Sequence, residues 1–528
     1  MNHAPGIHAL PSEILAKIFN ETIRQRRIDE VAACLTTIAS VCKYWREVAE
    51  NTPSLWAAVN ISPRSSPDRV LAHLARSKLA PLTVSVSCEK NTRAEDAKLI
   101  VPELHRVEDM KCYLDVYGFP ESLQEVAAGV HDAPELQSLM IVATEYTDFG
   151  DVQVPFISPT SPLPKLTFLH TLYVPYEDMS LWFRPSITTL WLDEAPHESV
   201  SMSDFLDALS DMPLLEELHW CDFFHEYEER YTGDASATLP RLRDLQVADD
   251  MVAIADILDR LVFPVRALLA GEYVTEESRL SRLAGGKTSV TGMSQADAYG
   301  TFLSSVLSKF AGNGIVGNEA SPAIHKLALS FDAEGGLVIE LFNDHQERIF
   351  ISYSEVFADT GSIIHHLASL SSEDSTRALL SGIRKLDIQR TSSATDSKTA
   401  NDTLPSIDDL VTIAKLLPNL ESLSLARARR VSEAFLSLHR THPPPFPRLR
   451  TLSLAGIDLK ESYFGTENPG DEEGFGKDFG QALLHAVDVR RRSDCRLHLL
   501  TIQDTGEDDF RKQLQEYVDE VQTITIEN

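Results

Sequence analysis

Two glycine-rich segments, one His-His pair and one His-Glu pair are the residues whose types and spacing could do chemistry. Gly312-Asn313-Gly314-Ile315-Val316-Gly317 has the spacing that lets a backbone approach a dinucleotide pyrophosphate. Such a turn must leave a strand and open a helix, because helix N-terminal amides hold the phosphate. This segment instead follows a helix-like stretch, Tyr299 to Phe310, and leads to Pro322 and a strand pattern, so a loop is expected. Gly285-Gly286-Lys287-Thr288 resembles the end of a phosphate loop, but Ser281 stands where its first glycine should be and no strand precedes it. His365-His366 and His225-Glu226 lack a second ligand pair at helical spacing and read as surface or packing residues. Cys34, Cys42, Cys88, Cys112, Cys221 and Cys495 include no Cys-x-x-Cys pair, which argues against a zinc cage and a disulfide scaffold and fits a reducing compartment. No Gly-x-Ser-x-Gly elbow occurs. The expectation is a protein without catalysis, metal or cofactor.

Binding residues are concentrated at the start of the chain. Leu10-Pro11-Ser12-Glu13-Ile14-Leu15 continues to Ile18-Phe19, with Ile14, Leu15, Ile18 and Phe19 at one-turn spacing on one helix face. Pro11 suits the first turn, and Ser12 with Glu13 suits a capped helix start. Leu35, Ile38, Cys42, Trp45 and Ala49 step by three or four residues and imply a second helix. Lys43, Arg46, Glu47 and Glu50 take its polar face. Two such helices bury too little surface to stand alone, so the rest of the chain or a partner must cover them.

These residues resemble an F-box. The Leu10-Pro11 head, Glu13-Ile14-Leu15, Ile18-Phe19, Val41-Cys42-x-x-Trp45 and the Leu55-Trp56 tail carry the likeness, over roughly the first tenth of the chain. The stretch from Asn20 to Cys34 is several residues longer than the usual connection in that family. The resemblance implies docking of a Skp-type adaptor, and through it a cullin ubiquitin ligase. The residues it assigns to that contact are Leu10, Pro11, Ile14, Leu15, Ile18, Phe19, Val41, Cys42 and Trp45.

Beyond Trp56, an aliphatic residue followed at three and five places by two more keeps returning. Leu79/Leu82/Val84, Val107/Met110/Cys112 and Leu136/Leu139/Ile141 fall about 28 residues apart. Further copies include Leu169/Leu172/Val174, Ile187/Leu190/Leu192, Leu215/Leu218/Trp220, Leu242/Leu245/Val247 and a weaker Val265/Leu268. The later copies are Ile324/Leu327/Leu329, Ile383/Leu386/Ile388, Leu420/Leu423/Leu425, Leu449/Leu452/Leu454, Leu497/Leu500/Ile502 and Val521/Ile524/Ile526. Trp56/Val59/Ile61 also fits. The last two members alternate with a variable residue, as in a half-buried strand, and helical stretches lie between sets. One strand and one helix cannot bury their own apolar face, whereas stacked copies can. The pattern resembles irregular leucine-rich repeats, without their Asn or Cys three places after the last Leu. The fold class expected is α/β: a small N-terminal helical F-box at 1–60, then a leucine-rich-repeat-like solenoid at 61–528. Insertions are expected near 275–298, 335–353, 391–405 and 465–477, the second as a hairpin around Asn343-Asp344-His345-Gln346. A doubly wound α/β sheet is the alternative.

If the Leu positions point inward, the residues between them project onto the open face of the sheet. Tyr173, Trp191, His219 and Gln246 are the candidates for binding a protein cargo, and Asp387, Ser424, Ser453 and Thr501 occupy the same position in later repeats. With 48 basic against 79 acidic residues the net charge is −31, which disfavours nucleic acid and anionic membranes. Met1 to Leu10 lacks the apolar core of a signal peptide, and no run is long enough to span a bilayer, so an intracellular protein is expected. The function expected is recruitment of a protein substrate to a cullin-type ligase. The alternatives are a repeat scaffold whose first helices are only a cap and a nucleotide-dependent enzyme.

Overall fold

The computed structural model describes residues 10–88, 92, 94–114, 132–143, 157–195, 200–224, 230–264, 267–273, 295–310, 324–331, 337–343, 345, 348–354, 364, 368–369, 374–390, 405–439, 444–456, 479–503 and 508–524. Both glycine-rich segments, His365-His366, His225-Glu226 and most of the expected insertions at 275–298, 391–405 and 465–477 lie outside the described residues. The chain forms two compact units, Met1–His225 and Glu226–Asn528.

The first unit opens with α1 (Ser12–Arg24), α2 (Ile28–Val41) and α3 (Lys43–Glu50). Pro11 is the N-cap of α1, and its carbonyl accepts the Ile14 and Leu15 amides, each at 3.1 Å. Ser12 therefore stands inside the helix and does not cap it. The extra length between Asn20 and Cys34 is helical: it is the end of α1 and the first half of α2, joined at residues 25–27. The single helix expected from Leu35 to Ala49 is interrupted at Cys42, whose backbone is extended (φ −161°, ψ 170°). Its Sγ accepts the Trp45 amide at 3.4 Å and so caps α3. Three- and four-residue spacing runs unbroken across this junction, so periodicity alone does not reveal it. Leu15, Phe19, Val31, Leu35, Ile38, Val48, Ala49, Leu55 and Trp56 form the helical core.

A 3-10 turn at Pro53–Trp56 carries the chain directly into a sheet. Its strands are β1 (Ala58–Ile61), β2 (Leu82–Cys88), β3 (Val107–Leu114), β4 (Ser138–Ala143), β5 (Phe168–Leu172), β6 (Thr189–Asp193) and β7 (Glu217–Cys221). Each pairs in parallel with the next in chain order. Between them run α4 (Pro67–Ser77), α5 (Ala94–Lys98), α6 (Tyr176–Ser180) and α7 (Met202–Ser210). A buried ladder Val59, Val84, Met110, Leu139, Leu169, Leu190, Leu218 runs in register beside a second one: Ile61, Val86, Cys112, Ile141, Thr171, Leu192, Trp220. Two sequence sets are thereby corrected. Leu79 is 87% exposed, and Val84 with Val86 takes the inward positions of β2. In β5 the set is Leu166/Leu169/Thr171, because a threonine occupies the inward place where Leu was sought. Its hydroxyl meets Met179 Sδ at 3.7 Å, so the buried oxygen is not left bare.

The second unit contains β8 (Ala237–Thr238), β9 (Asp244–Asp249), α8 (Met251–Arg260), β10 (Leu261–Val262), β11 (Leu268–Tyr273), α9 (Gln295–Phe310) and β12 (Ile324–Phe331). It continues with β13 (Leu337–Asn343), β14 (Arg348–Ser354), α10 (Asp374–Gly382), β15 (Lys385–Arg390), α11 (Ile407–Leu416) and β16 (Ser422–Ala426). It ends with α12 (Arg429–Leu438), β17 (Thr451–Ala455), α13 (Phe479–Arg492), β18 (Leu499–Gln503), α14 (Asp508–Gln515) and β19 (Glu520–Ile524). Strands β12, β15, β16, β17, β18 and β19 stack in parallel, with α10 to α14 packed in chain order. The β13–β14 hairpin is inserted between β11 and β12, with β13 antiparallel to β12 and β14 parallel to β11. The weak copy near Leu268 has a physical cause. Leu269 and Gly271 take the inward register, and a Cβ on Gly271 would lie 2.7 Å from Phe302 Cζ, so the Phe302 ring of α9 fills the place of the missing side chain. In β19 Val521 takes the inward place in register with Leu500, while Thr523, in register with Ile502, is exposed; this corrects the expected place of Ile524, and Ile526 lies outside the described residues.

Left-handed turns end several strands at the same register. Tyr173, Glu194 and Asp222 (φ 58°, 49° and 50°) directly follow β5, β6 and β7, and Arg427 and Gly456 (φ 55° and 69°) follow β16 and β17. The amides of Tyr173, Glu194 and Arg427 donate to Asp193, Cys221 and Ala455 at 3.1, 2.7 and 2.7 Å. Each turn thus adds one interstrand bond, which offsets the strain of about 1–2 kcal/mol that an L-residue carries there.

Candidate functional site

The nine adaptor-binding candidates divide by exposure. On α1, Ile14 and Ile18 are 42% and 41% exposed, and Val41 at the end of α2 is 50% exposed. Pro11 is exposed, and Leu10, Cys42 and Trp45 are half-buried. Leu15 and Phe19 are corrected: at 0% and 2% exposure they belong to the core and offer no surface. Helix geometry explains the split. Four apolar residues at 14, 15, 18 and 19 span a stripe wider than the core contact, so one i,i+4 pair faces in and the other faces out. Trp45 stacks on Phe19 at 4.9 Å between ring centroids, and its buried Nε1 has no hydrogen-bond partner among the described residues. Tyr44 fixes the entry to α1 by donating from its hydroxyl to the Leu10 carbonyl at 2.9 Å. Trp56 joins the helices to the sheet: its Nε1 donates to Ala49 O at 2.8 Å, and Arg76 of α4 lies 4.3 Å over its ring.

On the open face of the first unit, one register row reads Asn60, Ser85, Lys111, Met140, His170, Trp191, His219. Trp191, 39% exposed, and His219 lie on it as expected; Tyr173 does not. It stands one place past β5 in a left-handed turn, because the set chosen in that repeat was three residues late. His170 fills the place assigned to Tyr173, and the Leu166-x-x-Leu169-x-Thr171 spacing was the signal that would have found it. Trp191 packs between His170 and His219, with ring centroids 5.5 and 5.8 Å away, and edge-on to Phe168 at 5.7 Å. Asp193 completes the cluster. His170 Nε2 meets its Oδ2 at 2.8 Å, and His219 Nε2 lies 3.1 Å from its Oδ1. Burial pushes the Asp193 carboxyl up, but the His170 and His219 contacts outweigh it and hold the pKa down to about 2. The result is an exposed tryptophan, the kind of aromatic side chain enriched at the middle of protein interfaces, held by two histidines on one ionised carboxylate.

Gln246 lies in the second unit, exposed on β9, with its Nε2 donating to Asp244 Oδ2 at 3.1 Å. Asp387, Ser424, Ser453 and Thr501 share one outward register across β15 to β18. Among the described residues, no group of three His, Cys, Asp or Glu could hold a metal ion, and no helix is long and apolar enough to cross a membrane. Cys88 and Cys112 are buried on neighbouring strands, and burial pushes the Cys88 thiol up to about 12, so neither side chain is a ready nucleophile.

The F-box-like family model matches residues 7–62. No curated protein matches the chain. Among solved structures, a match is the "Crystal structure of Rad7 and Elc1 complex in yeast", at 13% identity over 87% of this chain and 91% of that chain, with a TM-score of 0.27. The helices α1, α2 and α3, the 3-10 turn and β1 all fall within the matched residues. The chain therefore carries an F-box-like domain at residues 7–62, followed by an α/β region of parallel strands.

Proposed function

We propose that this protein recruits a protein cargo to a cullin-type ubiquitin ligase, docking a Skp-type adaptor through its F-box-like domain. The observation that carries the reading is the exposure of Ile14, Ile18 and Val41 on a domain whose own core, built on Leu15 and Phe19, is already closed. Side chains left about half exposed leave apolar surface for a partner to cover, worth roughly 2–4 kcal/mol over the three. Leu10, Pro11, Cys42 and Trp45 border that patch on the same helical cluster, and Leu15 and Phe19 act by fixing its shape. The cargo binds the open faces of the strands, with Trp191, His170 and His219 forming the anchor in the first unit. Gln246, exposed on β9, is a separate candidate contact within the second unit. The protein performs no chemistry itself, needs no cofactor, and works inside the cell in the cytoplasm or nucleus.

Capping of the repeats by the same helices is compatible with this role. Trp56, Arg76 and His73 seal that junction through side chains distinct from Ile14, Ile18 and Val41. Affinity purification of the tagged full chain tests the proposal. Adaptor and cullin are expected with the parent protein and absent with Ile14→Asp/Ile18→Asp. His170→Ala/Trp191→Ala is expected to lose cargo and keep the adaptor. Recovery of the cullin with Ile14→Asp/Ile18→Asp would refute adaptor docking at this patch.

A further inference from the structure

A cleft of about 1340 Å³ opens within the first unit, between the C-terminal half of α1 and the first three strands. Its walls are basic in a chain whose net charge is −31. From the helical side come Lys17, Arg24, Arg26 and Arg27, and from the sheet side Arg64, Arg69 and Lys111. Against these seven cations stand, among the described residues, three carboxylates, Glu21, Asp29 and Asp109, a local balance of +4. Glu21 is taken by Arg24 at 3.1 Å and Asp29 by Arg27 at 3.5 Å. Lys17, Arg26, Arg64, Arg69 and Lys111 have no ion-pair partner among the described residues, and they face one another across the cleft from elements far apart in sequence. Asn60, Thr83 and Ser85 add polar groups to the floor.

We infer that this cleft receives an extended acidic segment of a partner protein. Its volume exceeds the roughly 300–1,000 Å³ of small-molecule sites, and its walls are more polar than the predominantly apolar lining such sites use, although Ile23, Ile28 and Val31 also contribute. Nucleic acid fits poorly. Among the described residues Tyr113 is the single aromatic side chain on the walls, whereas single strands need a row of stacking rings. A long polyanion would also meet the acidic remainder of the chain, while a short acidic segment ends within the basic zone. Lys17 and Glu21 neighbour Ile14 and Ile18 on α1 at three-residue spacing, so the cleft is tested from its sheet side, at Arg64 and Lys111, away from the patch proposed to dock the adaptor.

Fluorescence anisotropy on the full chain tests it, with a short labelled Asp/Glu-rich peptide, its phosphoserine version, an Asn/Gln counterpart and a single-stranded oligonucleotide of matched charge. Both acidic peptides are expected to bind, the neutral one is not, and added salt weakens binding. Arg64→Glu/Lys111→Glu should weaken it at least about tenfold and Arg64→Gln/Lys111→Gln severalfold, while Arg241→Glu outside the cleft leaves it unchanged. The milder pair and a far-UV spectrum guard against misfolding as the cause. Equal binding of the neutral peptide, parental affinity in the cleft variants, or tighter binding of the oligonucleotide would overturn the proposal.

Discussion

Replacing Asp193 by Asn should loosen strands β5 to β7 of the first unit's sheet by a measurable amount. The Asp193 carboxyl is held at about 2 from an ordinary 3.8, nearly two pH units in favour of the ionised folded state. At about 1.4 kcal/mol per unit this is at most about 2.5 kcal/mol. Its side chain is 21% exposed, and solvent screening brings the contribution to roughly 1–2 kcal/mol. Because the folded pKa is depressed, the contribution is complete above the unfolded value near pH 4 and disappears as pH falls through about 2. Hydrogen exchange followed by mass spectrometry on peptides spanning β5, β6 and β7 reads this locally, without requiring all-or-none unfolding of two units. Asp193→Asn should exchange about 5–30-fold faster than the parent near neutral pH, with the difference constant down to about pH 4.5 and shrinking below pH 4. Equal exchange at neutral pH would show that the two histidines do not hold this carboxylate.

Leu15→Ala should cost about 2–5 kcal/mol and lower the melting temperature, since Leu15 is fully enclosed. Ile14→Ala, one residue away and 42% exposed, should cost under about 1 kcal/mol; equal losses in the two would contradict the assigned facing of α1. Gly271→Ala should destabilise the second unit by about 1–3 kcal/mol, because its methyl would press on the buried Phe302 ring. An unchanged melting curve would mean that the ring moves aside freely.

Strand existence was legible in the sequence wherever two aliphatic residues flank one variable position, as in Leu190-Trp191-Leu192 or Leu423-Ser424-Leu425. Register failed where one inward residue was not aliphatic or a spare leucine stood nearby. Thr171 and Gly271 hid true positions, and Leu79 mimicked one. A slip of two or three residues in this pattern keeps some leucines in place while exchanging the outward residues, which is why the pattern points to Tyr173 where His170 stands. The break at Cys42 escaped because an extended residue between two helices preserves apolar spacing. Division of the 14, 15, 18, 19 stripe into core and surface required knowledge of what α1 packs against. The basic cleft was invisible in composition, since its cations run from Lys17 to Lys111 in a strongly acidic chain, and only the fold brings them together.

Calorimetric titration of a purified Skp-type adaptor onto the full chain tests the central claim most directly. The account predicts saturable binding by the parent protein, at least about tenfold weaker binding by Ile14→Asp/Ile18→Asp, and parental affinity for Leu79→Asp, an exposed leucine outside the helical cluster. No binding by the parent, or equal affinity for parent and Ile14→Asp/Ile18→Asp, would contradict it.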